Sequence, residues 1–202
     1  MTLAVVDSGV ANLASVMAAL RRLDLDAKVT SDAGEIRAAS HVILPGVGAA
    51  SAAMAQLEAK GLCDVIRALT QPVLGICLGM QLLFTRSTEG EGRDCLGVIE
   101  GAVTLLPPKP DMPIPHMGWN QLKRHDADHP LLRGIADDSF VYFVHSFAAP
   151  VASYTIASCD YSAAFTAIAG HRNFFGCQFH PERSGAVGQR VLKNFAEMAA
   201  SA

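Results

Sequence analysis

A cysteine lies at the centre of a short, glycine-flanked motif that could carry out covalent chemistry. Residues 75–79 have the sequence Gly-Ile-Cys-Leu-Gly, between an apolar stretch at 73–76 and a helical pattern that starts near residue 78. This is the pattern of a nucleophile elbow, a sharp strand-to-helix turn that exposes a reactive side chain. The helix N-terminus favours thiolate over thiol because its unpaired N–H groups and its dipole stabilise negative charge. We therefore predict that Cys77 is a nucleophile and that the Leu78 N–H helps to bind an oxyanion.

The other cysteines lack such a context. A lone cysteine is most often a small buried apolar residue. The chain has five cysteines, an odd number, and no Cys-x-x-Cys pair, which excludes a closed disulfide framework and a standard structural zinc site. We therefore expect no metal and assign a packing role to Cys63, Cys95, Cys159 and Cys177.

A second reactive motif ends an apolar stretch near the C-terminus. Residues 174–179 predict a strand, and His180, Pro181 and Glu182 follow it. Residues two apart in extended chain point to the same side, and the proline restricts the backbone between them. Glu182 can therefore reach the His180 imidazole, fix its tautomer and stabilise its charged form, as the third member of a triad does. The ordinary role of a surface or core histidine is assigned to His41, His125, His129 and His171.

A glycine-containing loop follows another predicted strand. Residues 45–48 have the sequence Pro-Gly-Val-Gly, which lacks both the lysine of a P-loop and the spacing of a dinucleotide-binding loop. A simple tight turn is one interpretation. Because the carboxyl ends of parallel strands share one edge of a sheet, Gly46, Val47 and Gly48 could also supply the second oxyanion donor.

The elements that must position these residues alternate in the first half of the chain. Short apolar runs are separated by stretches with helical periodicity. These stretches are residues 13–23, the residues after Gly48 with a break near Gly61, and residues 78–84. This alternation predicts an α/β fold with a mainly parallel central sheet and helices on both faces. The predicted strands are Leu3–Val6, Ala27–Thr30, His41–Leu44 and Val73–Ile76.

The second half has a different pattern. Five prolines between residues 107 and 115 exclude a helix or a central strand there, and we interpret this stretch as a surface loop. A final amphipathic helix is predicted over 187–198. Because neither half could form a complete core, we predict a single domain over 1–202. Further predicted strands are Phe140–Val144, Tyr154–Ser158, Ala164–Ile168 and Phe174–Phe179.

Composition excludes several classes of protein. Of 202 residues, 50% are hydrophobic and 17% are charged, with a net charge of -3. This balance disfavours extensive disorder, and it gives no electrostatic footprint for nucleic acid or an anionic membrane. No apolar run approaches the ~18 residues of a membrane helix, and residues 1–7 predict a strand rather than a signal peptide. We expect a reduced, cytoplasmic globular protein.

Together these motifs resemble the class I, triad-type glutamine amidotransferases. Within that family, residues 77–84 resemble several members. Residues 115–120 (Pro-His-Met-Gly-Trp-Asn), 142–146 (Tyr-Phe-Val-His-Ser) and 7–13 are more specific. They resemble the glutaminase subunits of imidazole glycerol phosphate synthases, which act in histidine biosynthesis. The resemblance extends from the first predicted strand to the last helix.

The resemblance implies a flavodoxin-like architecture, a Cys77–His180–Glu182 triad and no cofactor. It implies that Gln81 and the backbone around Ser146 and Phe147 hold the amino-acid end of L-glutamine. It also implies a heterodimer with a cyclase subunit, a (β/α)₈ barrel that receives the ammonia. The residues expected at that interface are Asn12, Met117, Trp119, Tyr142 and Arg183, with core packing as the alternative for Met117 and Tyr142.

Three other functions remain open from the residues alone. The chain could serve a different triad glutaminase, such as an anthranilate or pyridoxal phosphate synthase, although residues 115–120 argue against this. It could be a regulatory subunit without activity, although an intact triad disfavours that. It could be a cysteine peptidase or γ-glutamyl hydrolase, which would work alone. Departures from the common family residues occur at Ser8, Ala11, Phe147 and Arg183.

Overall fold

Eight strands form a central sheet with helices packed on both faces. The computed structural model describes residues 2–9 and 12–199. In chain order the elements are β1 (Leu3–Val6), α1 (Leu13–Arg22), β2 (Ala27–Thr30), α2 (Ala33–Ala38), β3 (His41–Gly46), α3 (Ala50–Ala59), α4 (Cys63–Arg67), β4 (Val73–Cys77), α5 (Leu78–Leu83), β5 (Phe84–Ser87), β6 (Arg93–Asp94), β7 (Ile99–Leu105), β8 (His116–Gln121), β9 (Lys123–Arg124), β10 (Phe140–His145), β11 (Phe147–Ala148), β12 (Thr155–Asp160), β13 (Ala164–His171), β14 (Phe174–Cys177) and α6 (Gly185–Ala196).

The central sheet is parallel on one side and antiparallel on the other. Its strand order is β2-β1-β3-β4-β14-β13-β12-β9. The pairs from β2 through β14 are parallel, as the alternation of strands and helices predicts. The pairs from β14 to β9 are antiparallel, because short turns join β12, β13 and β14 and a short turn can only connect antiparallel neighbours. The predicted α/β class with a mainly parallel sheet is confirmed.

Two apolar clusters lie on opposite faces of this sheet. Along β1, Leu3 and Val5 point to one face and Ala4 and Val6 to the other, as the two-residue period of a strand requires. Helices α1 and α6 cover the first face, and helices α2 to α5 cover the second. The strand ends that carry the candidate residues are therefore held between two buried layers.

Two smaller sheets were not anticipated. The predicted strand near residue 140 is β10, which pairs in antiparallel fashion with β8 as a separate two-stranded ribbon. The predicted helix after Cys77 ends at Leu83, and β5 follows at once in a four-stranded sheet with β6, β7 and β11. The proline-rich segment is a loop, with a cis peptide bond between Ile114 and Pro115. Within the described ranges, no helix has the length and apolar character needed to cross a membrane.

Candidate active site

Cys77 occupies a strained turn between β4 and α5. Its φ and ψ angles are 52° and -111°, in a region that non-glycine residues seldom adopt. Such strain persists only where the surrounding structure enforces it, and it is concentrated at functional sites. The chain is crowded around the turn: a Cβ atom on Gly79 would lie 1.8 Å from the Leu44 carbonyl oxygen, and one on Gly75 would lie 2.6 Å from the Gly79 oxygen. The two glycines of the motif are therefore required by close backbone contacts.

This crowding leads to a stability prediction for Gly79→Ala. We expect a loss of about 3 kcal/mol or more in the free energy of unfolding, because the new methyl group collides with backbone that cannot move aside. Gly34→Ala is the matched control, since its Cβ would approach only the Asp32 side chain, at 3.1 Å. Urea unfolding monitored by circular dichroism measures both. Equal midpoints for Gly79→Ala and the parent chain would contradict the close packing of the elbow.

His180 and Glu182 form a hydrogen-bonded pair at the end of β14. The His180 Nδ1 and the Glu182 Oε1 are 2.8 Å apart, and the two side chains are 11% and 2% exposed. The segment is tied to β10, because the His180 N–H donates to the Tyr142 carbonyl at 2.9 Å. Ser184 reinforces this connection: its hydroxyl donates to the His180 carbonyl at 2.7 Å and accepts from the Tyr142 N–H at 2.9 Å. The imidazole is therefore oriented by both a side chain and its backbone.

The surroundings of His180 favour its charged form. Burial alone lowers its pKa, but hydrogen bonds and charge interactions with Cys77 and Glu182 outweigh burial and raise the pKa to about 10. The ring is therefore an imidazolium at neutral pH, the form that stabilises a neighbouring thiolate. By contrast, burial raises the pKa of Cys95 to about 11 and that of Cys159 to about 12, which keeps these thiols neutral.

A cavity of about 290 Å³ opens above Cys77. It lies at the carboxyl edge of the parallel strands, where open α/β sheets bind ligands. Gly46 and Glu182 do not line it; they line a second, smaller cavity together with Asn12. The structure brings most of the candidate residues together in the larger cavity, which is lined by Val47, Gly48, Cys77, Leu78, Gln81, Glu89, Pro115, Val144, His145, Ser146, Phe147 and His180.

Comparison with known proteins identifies the family. Residues 4–199 match the class-I glutamine amidotransferase family. The chain belongs to this family. It is 52% identical to the imidazole glycerol phosphate synthase subunit HisH of Idiomarina loihiensis over 98% of both chains. It is 50% identical to the same subunit of Escherichia coli K12, over 98% of this chain and 100% of that one. The resemblance drawn from residues 115–120 and 142–146 is thus confirmed.

Solved structures agree with the amidotransferase fold. The structure of PurLQS from Thermotoga maritima superposes with a TM-score of 0.73, covering 96% of this chain and 97% of that chain. Its sequence identity is 19%, so this likeness concerns the fold.

Glu89 and Gln178 are among the site residues that the sequence analysis did not predict. Glu89 lines the cavity, and its Oε2 accepts a hydrogen bond of 2.7 Å from the Ala50 N–H at the start of α3. Gln178 is fully buried, and its amide nitrogen lies 3.8 Å from the Cys77 sulfur. A glutamine within the apolar run 174–179 was a visible signal for Gln178. Glu89 lies in a loop and had no comparable signal.

Gln81 and Phe147 are joined to each other. The Gln81 amide nitrogen donates to the Phe147 carbonyl at 2.8 Å and to the Gln178 side-chain oxygen at 3.0 Å. His145 Nδ1 also donates to the Phe147 carbonyl, at 2.9 Å. The Gln81 side-chain hydrogens and the Phe147 carbonyl are therefore used within the protein.

Four of the five expected interface residues lie together on one surface. Met117 and Trp119 are 61% and 55% exposed on the outer face of β8. Trp119 and Tyr142 are opposite each other in the ribbon, with ring centroids 5.9 Å apart, and the Arg183 guanidinium lies 5.0 Å from the Tyr142 ring centroid. Core packing therefore does not explain Met117.

The Asn12 side chain caps α1, where it accepts a hydrogen bond of 3.4 Å from the Ser15 N–H. Among the departures from the common family residues, Ala11 lies outside the described residues.

Proposed function

We propose that this chain hydrolyses the side-chain amide of L-glutamine to glutamate and ammonia, as the glutaminase subunit of an imidazole glycerol phosphate synthase in histidine biosynthesis. The observation that carries the proposal is that the Cys77 elbow and His180 line one cavity, with His180 hydrogen-bonded to Glu182. It occurs in a chain about half identical to HisH subunits over nearly its full length. The whole chain would serve as one amidotransferase domain.

The first half of the reaction forms a thioester. The Cys77 thiolate attacks the amide carbon, and the carbonyl electrons move onto oxygen. The backbone N–H groups of Leu78 and of the loop 46–48 bind this oxyanion, an interaction made only as the charge develops. The His180 imidazolium then gives its proton to the departing nitrogen, so that ammonia leaves and a γ-glutamyl thioester remains.

The second half restores the enzyme. His180 is now neutral and removes a proton from water as the water attacks the thioester carbon. Collapse of this second tetrahedral intermediate expels the Cys77 thiolate and releases glutamate. Glu182 keeps Nδ1 of the ring protonated throughout, so that Nε2 faces the reaction.

Glu89 is well placed to recognise the amino-acid end of glutamine. It is the carboxylate among the residues that line the cavity, and the α-ammonium group of the substrate needs an anionic partner. The Gln81 side-chain oxygen and the polar groups of Ser146 would complete the recognition of the amino-acid end.

We expect Glu89→Gln to raise KM for glutamine by roughly 10- to 100-fold while kcat changes little, because a hydrogen bond to a charged group is lost. The side-chain oxygen of the substituted residue 89 can still accept a hydrogen bond from the Ala50 N–H, so helix α3 keeps its N-terminal contact. Steady-state glutaminase assays measure both constants, with Glu91→Gln on the same loop as control. An unchanged KM would remove Glu89 from substrate binding.

A partner subunit follows from the chemistry of ammonia. In water near pH 7 ammonia is mostly ammonium, which is not nucleophilic, so a synthesis fed by this reaction needs a sealed route to its acceptor. The proposed partner is a (β/α)₈-barrel cyclase in a cytoplasmic heterodimer. It would bind on the surface formed by Met117, Trp119, Tyr142 and Arg183, together with Asn12. The products would be imidazole glycerol phosphate and an aminoimidazole carboxamide ribonucleotide.

The test of the proposed function is ammonia release from glutamine with and without the cyclase and its nucleotide substrate. We expect the isolated chain to be at least about 10²-fold slower, the loss caused by one misplaced oxyanion donor. Gly48 has a φ of +87° and lies in an exposed loop, where a peptide can turn either its N–H or its carbonyl towards the site. A partner that makes better contacts when the N–H points towards the site would shift the equilibrium to that arrangement.

Equal rates of ammonia release for the isolated chain and for the complex with the cyclase and its nucleotide substrate would exclude activation by the partner. Rapid hydrolysis of γ-glutamyl peptides by the isolated chain would instead favour a hydrolase that works alone.

A further inference from the structure

Two buried histidines on the ribbon of β8 and β10 take no part in the proposed reaction. His116 and His145 are opposite each other at the end of the ribbon next to the cavity. They are 3% and 6% exposed, on the face that points into the protein, whereas Met117 and Trp119 point outward. The segments 115–120 and 142–146 thus each carry an outer and an inner set of residues, and the inner set has no assigned role.

The hydrogen bonds of these histidines can run in one direction only. The Phe147 carbonyl can only accept, so His145 donates to it from Nδ1 at 2.9 Å. In a neutral ring His145 Nε2 is then an acceptor, and His116 Nδ1 donates to it at 3.0 Å. His116 Nε2 accepts in turn from the Asn120 amide nitrogen at 3.4 Å. Both rings therefore carry their proton on Nδ1.

The surroundings hold both rings in this state. His116 is stacked between Phe143 and Tyr161, with centroid distances of 4.9 and 4.0 Å. His145 meets the ring of Phe165 edge-on at 4.8 Å. Burial lowers the pKa of His116 to about 4. Burial, assisted by the nearby His116 and His180, lowers that of His145 to about 3. At pH 7 each ring is neutral and offers one donor and one acceptor.

A second series of hydrogen bonds joins the same carbonyl to the reacting sulfur. The Phe147 carbonyl also accepts from the Gln81 amide nitrogen, which donates in addition to Gln178, whose own amide nitrogen lies 3.8 Å from the Cys77 sulfur. The strand end that carries His145 also contacts Cys77 directly, because the Val144 carbonyl lies 3.8 Å from the same sulfur. Displacement of His145 would therefore move one wall of the cavity relative to the nucleophile.

We propose that His116 and His145 are positioning residues of the glutaminase site. Their Nδ1–H groups form a chain of hydrogen bonds that runs from His116 through His145 to the Phe147 carbonyl, and this chain holds residues 144–147 in place relative to Cys77. The proposal rests on the proposed glutaminase function. The inner residues of the ribbon would then fix the geometry of the glutamine pocket, whereas its outer face is the surface proposed to bind the cyclase.

The kinetic test compares His116→Leu with His116→Asn in the complex with the cyclase. Both variants lose the stacked ring, but the Asn amide nitrogen takes roughly the place of Nδ1 and can still donate to His145. We expect His116→Leu to raise KM for glutamine about tenfold, as the loss of a buried hydrogen bond does, and to leave ammonium-driven synthesis unchanged. His116→Asn should stay within about threefold of the parent KM.

His41→Leu controls for the loss of a buried histidine. His41 is 6% exposed, its Nε2 donates to the Met198 carbonyl at 2.9 Å, and it lies at the opposite end of β3 from the cavity. It should lose stability without a change in KM. If His116→Leu and His116→Asn have the same KM, or if His41→Leu raises KM as much, the positioning role is wrong.

A spectroscopic measurement decides the geometry without any assay of activity. The imidazole ¹⁵N shifts of the full-length chain at pH 7, assigned with the His116→Asn variant, should show the Nδ1–H tautomer for both His116 and His145. An Nε2–H tautomer or a charged ring at either position would overturn the proposal. A complex that hydrolyses no glutamine would instead overturn the proposed function, while these shifts would still decide the hydrogen-bond chain.

Discussion

Cys77→Ala is expected to abolish glutamine-dependent synthesis by the complex while synthesis from added ammonium salts continues. Cys77 is needed only to liberate ammonia, so a cyclase supplied with ammonia from solution does not depend on it. Loss of the nucleophile of a triad costs about 10⁴-fold or more in kcat. The two activities are measured side by side as formation of the imidazole product from the same preparation.

Cys63→Ala is the matched control, because Cys63 is a half-buried thiol on α4 that lies away from the cavity. It should retain both activities. Glutamine-dependent turnover by Cys77→Ala at more than a few per cent of the parent rate would exclude Cys77 as the nucleophile. Loss of the ammonium-dependent rate as well would mean that the variant disturbs the complex rather than the chemistry.

His180→Ala is expected to be nearly as damaging as Cys77→Ala, with a loss of about 10⁴-fold or more in glutaminase kcat, whereas Glu182→Gln should lose less. The alanine removes the group that transfers every proton. The glutamine can still accept from Nδ1 through its oxygen. The Glu182 Oε2 accepts no hydrogen bond from the described residues, so an amide nitrogen can replace it without breaking a contact.

The pH profile gives Glu182→Gln a second readout. Glu182 raises the pKa of His180, so removing its charge lowers that pKa and the imidazolium is lost at a lower pH. The alkaline limb of kcat should therefore move to lower pH in the variant. Equal losses in Glu182→Gln and His180→Ala, with both variants folded, would mean that Glu182 does more than orient and charge the ring. An unaffected Glu182→Ala would place it outside the triad.

The parts of the site that were predictable from sequence are those set by local chain geometry. The elbow at Cys77 needs glycines on both sides within five residues, and the His180–Glu182 pair needs only a two-residue spacing, so both were visible as short motifs. The alternation of apolar runs and helices in the first half likewise predicted the parallel strands.

The parts that were not predictable depend on contacts between distant segments. The pairing of β8 with β10 joins residues 19 to 29 positions apart, and neither strand belongs to the central sheet that the apolar pattern indicated. Glu89 reaches the cavity because its loop packs on the start of α3, 39 residues away. His116 and His145 were visible within the specific segments, but only the register of the ribbon places them in contact.

The measurement that tests the central claim most directly is covalent trapping of the nucleophile. The complex with the cyclase is treated with a chloroketone analogue of glutamine, digested and examined by mass spectrometry. We expect a single adduct on the peptide that contains Cys77. It should form at the same rate as glutamine-dependent activity is lost, and excess glutamine should prevent it. Inactivation with Cys77 unmodified, or with the adduct on Cys63, Cys95, Cys159 or Cys177, would contradict the account.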